Sequence, residues 1–94
     1  MSTAGSWTVD ATGQKIYEDT DGCTTFLIRC LASSANDALV NIPGLHDAGE
    51  FFPIPPGQEY PFRLNHLGIR EVFVKGDGGN ADISGGIVAK TYAH

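Results

Sequence analysis

Few residues in this chain could carry chemistry, and their spacing limits what they can do. The stretch "HDAGE" places His46, Asp47 and Glu50 within five residues. Imidazole and carboxylate are metal ligands, and on a helix an i, i+4 pair converges on one face. Gly49 and the prolines that follow disfavour a helix here, so the spacing loses its geometric meaning, and no short zinc signature matches. A solvated loop without metal is the expectation. Asp77, Asn80 and Asp82 in "DGGNAD" lack the alternating ligands and distant bidentate Glu of a calcium loop. "GDGG" lacks the Lys-Ser/Thr and the helix N-terminus that a phosphate cradle needs.

Nucleophilic catalysis fares no better. The histidines are His46, His66 and His94, the last at the chain end. No Ser sits in a nucleophile elbow, and neither Cys has a His nearby in sequence. A thin sandwich of 94 residues also offers little depth for a water-excluded pocket. The expectation is a protein that is not an enzyme and carries no cofactor. Cys23 and Cys30 are seven residues apart in "CTTFLIRCL". On one continuous strand they would stand roughly 23 Å apart on opposite faces. A disulfide needs Cα atoms within about 7 Å. The reading is two reduced, half-buried thiols and folding in a reducing compartment.

Charge excludes further classes. Six Lys and Arg against eleven Asp and Glu give −5, with no basic run. That is a poor footprint for nucleic acid or an anionic membrane surface. No segment reaches the length of a membrane span, and "MSTAGSWTVD" lacks the cationic start and apolar core of a signal peptide. At 41% hydrophobic and 18% charged, the chain is too apolar for disorder. Its length suits one domain, 1–94, with a flexible arm over residues 1–6.

These residues must be positioned by strands. Gly and Pro punctuate the chain at the spacing of an all-β sandwich or barrel. "SWTVD" puts Trp7 and Val9 on one face, "QKIYED" is a short strand, and "DTDG" is a turn. "CTTFLIRCLA" puts Phe26, Ile28, Cys30 and Ala32 on one face and Leu27, Arg29 and Leu31 on the other. "SSAND" is a loop and "ALVNI" a strand. In "EFFPI", Phe52 and Ile54 share a face with Phe51 opposite, and Pro53 confines the piece to an edge. "EYPFRLN" alternates Tyr60, Phe62 and Leu64 against Glu59, Pro61, Arg63 and Asn65. "IREVFVKG" sets Val72 and Val74 against Ile69 and Phe73. "GDGGN" is a tight hairpin connection, and in "ADISGGIVAKTY" Gly85-Gly86 marks a bulge or a close backbone approach. The sum is roughly seven or eight strands in an antiparallel β-sandwich of jelly-roll or related type.

Between Leu45 and Phe62 lie four of the five prolines and four aromatic rings. Phe51 and Phe52 are adjacent and cannot share a strand face, so one of them is expected at a surface contact. Pro-stiffened apolar residues are good anchors because little entropy is lost on binding. The contact residues expected on this basis are Trp7, Phe51, Phe52 and Ile54.

"NIPGLHDAGEFFPIPPGQEYPFRL" followed by "GIREVFVKGDGGNADISGGIVAK" resembles the small β-sandwich virion proteins of tailed bacteriophages. The likeness covers about Val40 to Thr91 and rests on turn placement. It implies a capsid decoration (cement) protein that acts as a dimer or trimer, bridges neighbouring shell subunits and stabilises the shell. It also implies assembly in the host bacterial cytoplasm and a final location on the capsid surface. A tail or spike component, or a carbohydrate- or receptor-binding module, is the alternative. A small hydrolase or metal-dependent enzyme would require His46 or His66 buried beside a carboxylate.

Overall fold

The computed structural model describes residues 4–65 and 68–89. Eight strands follow in chain order: β1 (Ala4–Val9), β2 (Gln14–Cys23), β3 (Thr25–Cys30), β4 (Ala38–Asn41), β5 (Phe52–Ile54), β6 (Glu59–Arg63), β7 (Ile69–Gly76) and β8 (Ala81–Ala89). One sheet has the order β1-β8-β3-β6 and the other β2-β7-β4-β5, with every pairing antiparallel. Successive strands alternate between the sheets, except β4 and β5, which pair with each other as a hairpin in the second sheet; this is the winding of a jelly roll. Ala4–Ser6, part of the expected arm, pair with Ser84–Gly86.

The core lies between the sheets, where the period-2 alternation sends the apolar side chains. Val9, Phe26, Ile28, Phe62 and Ile83 of the first sheet meet Tyr17, Val40, Ile54, Val72 and Val74 of the second. Phe26 and Phe62 anchor it as the largest fully buried side chains. In β2 a register shift between Lys15 and Tyr17 lets the neighbours Ile16 and Tyr17 both be buried.

Several local expectations change in three dimensions. Cys23 and Cys30 do not share a strand: Cys23 ends β2 and Cys30 ends β3, in different sheets. The chain crosses between sheets at Thr24, whose N–H and hydroxyl both donate to the Ala89 carbonyl at 2.9 Å. Both thiols are fully buried and form no disulfide. "DTDG" is a departure from pairing inside the longer β2, with Asp21 N–H on Asp19 Oδ1 at 2.9 Å. That shift sets Cys23 opposite Ile69, and Ile69 is buried, whereas Phe73 stays on the outer face.

"GDGGN" is not a hairpin, because β7 and β8 belong to different sheets. Gly78 (φ 77°) still supplies the left-handed turn residue, and a Cβ on Gly76 would lie 1.7 Å from the Gly79 carbonyl oxygen. The β8 irregularity falls between Ile87 and Ala89, not at Gly85-Gly86. Gly85 is instead a close approach, since a Cβ there would lie 2.5 Å from the Leu27 carbonyl oxygen.

Candidate interaction surface

Strands β5 and β6 are edge strands of different sheets on the same side of the sandwich. Each carries a proline at its centre, and the hydrogen-bond phase shows which way each proline faces. Leu64 N–H donates to Thr24 O and Cys30 N–H to Gln58 O, both at 3.0 Å. In the β3–β6 register, Phe26/Phe62 and Ile28/Tyr60 are therefore hydrogen-bonded pairs and Leu27/Pro61 is not. The Pro61 nitrogen thus faces the free edge. Asp77 N–H donates to Asp37 O at 3.0 Å, which by the same reasoning turns Ala38 and Val40 toward β5 and the Pro53 nitrogen outward. Both free edges lose a donor without loss to the sheets, a known guard against strand addition.

Between these edges sits an aromatic cluster. The Phe52 and Tyr60 ring centroids are 4.4 Å apart, Tyr60 and Phe62 4.8 Å, and Phe52 and Phe62 5.4 Å in an edge-on arrangement. His46 stands edge-on to Phe62 at 5.8 Å. Its Nδ1 accepts from the Ile42 backbone N–H at 3.1 Å, and the His46 backbone N–H donates to Ile42 O at 2.8 Å. His46 is therefore a packing and loop-closing residue. Asn41 Nδ2 ties the rest of "HDAGE" by donating to Asp47 O at 2.8 Å and Glu50 O at 2.7 Å. Among the described residues, no three His, Cys, Asp or Glu side chains come together as metal ligands. His66 and His94 lie outside the described residues.

The cluster runs from core to surface. Phe62 is 1% exposed, Tyr60 43% and Leu45 38%. Tyr60 belongs to the inner-face set of β6, yet it is exposed because, among the described residues, no strand lies beyond β6. Shallow grooves flank its ring. One of about 360 Å³ lies between Pro53, Pro55, Gln58 and Tyr60, and one of about 430 Å³ lies beside Leu45, Pro61 and Arg63.

The four expected contact residues do not form one surface. Ile54 is 1% exposed and belongs to the core, because its inward position on β5 points between the sheets. Phe52 supports the aromatic cluster from below. Phe51 lies on the outer face of the second sheet, 6.4 Å from the Phe73 ring, with Lys75 Nζ 4.1 Å above its centroid. Trp7 is half-buried on β1, at the opposite edge of its sheet from β6. Alternation alone put Tyr60 on the same face as the buried Phe62 and gave no sign of Leu45; the signal for an exposed Tyr60 was the neighbouring Pro61, which marks an edge strand.

No protein-family model, no curated protein and no solved structure matches this chain.

Proposed function

We propose that this chain is a non-enzymatic structural module of a bacteriophage virion. It decorates the capsid and stabilises it by bridging neighbouring shell subunits through the β5/β6 side. One observation carries the reading: Tyr60 stands exposed at the centre of a proline-stiffened apolar surface, with its ring seated on the half-buried Phe52 and the fully buried Phe62. Such a surface loses little conformational entropy on docking. At about 25 cal/mol per Å², ~400 Å² of apolar burial offers roughly 10 kcal/mol before association costs. Jelly rolls serve in viral capsids and in lectins, and fold alone does not choose between them. The sequence resemblance to small phage virion proteins favours the capsid surface.

A second reading rests on a specific feature. Gln58 and Glu59 border the groove beside Tyr60, giving an exposed ring with polar neighbours, as a sugar-stacking site in a tail or spike protein would have. Co-sedimentation with empty shells tests the first reading. Saturation at a copy number matched to the shell symmetry supports it. Indifference to shells together with binding on a glycan panel would transfer the assignment to the second.

A further inference from the structure

We propose that β1 is a self-association edge, along which two copies of this chain join antiparallel, β1 against β1′, into one continuous eight-stranded sheet. Of the four sheet edges left uncovered among the described residues, β5 and β6 are blunted by Pro53 and Pro61. The β2 edge is interrupted by register shifts and carries Lys15, Glu18, Asp19 and Asp21. Strand β1, AGSWTV, has no proline, no charge and an unbroken register with β8. Long, regular and uncharged edges are templates for strand pairing.

The hydrogen-bond phase identifies the available groups. Leu31 N–H donates to Asp82 O at 2.9 Å, so Asp82, Ser84 and Gly86 are the β8 residues bonded to β3. Ile83 and Gly85 therefore turn their backbone groups toward β1, where they meet Trp7 and Gly5. Ala4, Ser6 and Thr8 are left with N–H and C=O directed outward.

A second copy fits this edge for two reasons. In a chain of net charge −5, an uncharged strand is where two copies can meet with least repulsion. The edge is also self-complementary. A two-fold axis at Ser6 pairs Ser6 with Ser6′ and Ala4 with Thr8′, so all three outward residues are bonded. It also sets Trp7 opposite Gly5′, and because each Trp7 ring lies over the Gly5 of its own chain, where a Cβ would be 3.2 Å from the ring, the two rings meet across the axis on one face. The inference concerns copies of the chain and does not require the shell reading.

The test is solution mass by light scattering over a concentration series, for the wild type and for Ser6→Pro. The Ser6 nitrogen faces outward, so proline there removes no β1–β8 bond. The expected result is twice the chain mass for the wild type and a single chain mass for Ser6→Pro. Ser6→Cys supplies a readout that survives if the proline variant fails to fold. Hydrogen-bonded antiparallel pairs have Cα atoms about 5.5 Å apart, within disulfide range, whereas Thr8 and Thr8′ would stand about 14 Å apart. Ser6→Cys is expected to cross-link on mild oxidation and Thr8→Cys is not. A monomeric wild type, a dimer that survives Ser6→Pro, or cross-linking of Thr8→Cys as readily as Ser6→Cys would overturn the proposal. Tyr60→Ser leaves this edge intact, so failure here and failure of shell binding are separable.

Discussion

Tyr60 and Phe52 come from edge strands of opposite sheets, and their ring centroids are 4.4 Å apart. The pair closes a side of the sandwich that no strand covers among the described residues. Its two members carry different burdens, because Tyr60 is exposed while Phe52 rests on the fully buried Phe62. Phe62→Ala is expected to cost about 3–5 kcal/mol, as for other buried aromatics. Tyr60→Ser should cost only about 1 kcal/mol, since a half-exposed ring gives up little burial. Urea unfolding midpoints of the two variants check this ordering.

The prolines on the same side act against unwanted pairing. Pro61→Thr restores an outward N–H on β6, in a strand where threonine is well tolerated. Thermal stability should stay within about 1 kcal/mol of the wild type while aggregation on warming increases. Light scattering during a thermal ramp distinguishes this from simple destabilisation, which would lower the midpoint as well.

Gly85 permits the close approach of β8 to β3. With a Cβ placed 2.5 Å from the Leu27 carbonyl oxygen, Gly85→Ala must shift backbone rather than a flexible side chain. Overpacking of this kind costs about 1–3 kcal/mol. Chemical denaturation of Gly85→Ala should show that loss with an unchanged m-value.

Tyr17 sets an alkaline limit. Burial, and then the Cys23 side chain beside it, push its phenol above the ordinary value of about 10. In this raised-pKa case the folded state holds the proton more tightly than the unfolded state. Stability is therefore insensitive to this group below about pH 10 and falls as pH rises above that value. Tyr17→Phe should flatten the fall. It should cost little at neutral pH, where the buried hydroxyl contributes weakly. Melting temperatures of both proteins between neutral and alkaline pH measure the difference.

Strand faces were legible in the sequence because side-chain alternation is local. Phe52 and Ile54 oppose Phe51, and Tyr60, Phe62 and Leu64 oppose Pro61 and Arg63, as expected from spacing alone. Sheet membership was not legible, because it depends on long-range pairing. Asp77-Gly78 has the local chemistry of a hairpin but connects two sheets, and the apolar run around Thr24 conceals a crossing between them. The exposure of Tyr60 escaped for the same reason: its face follows from period, while its place at an uncovered edge follows from topology. Ile54 shows the converse, a residue on a proline-rich segment that reads as surface and is held in the core by inward alternation.

The central claim is that the Tyr60 side of the sandwich docks onto shell subunits. Its most direct test is the co-sedimentation of wild type and Tyr60→Ser with empty phage shells, both first shown to be folded and of equal solution mass. The account predicts saturable wild-type binding and a drop of at least tenfold in affinity for the variant, about 1.4 kcal/mol for a central aromatic anchor. Equal binding by the two proteins, or no binding by either, would contradict it.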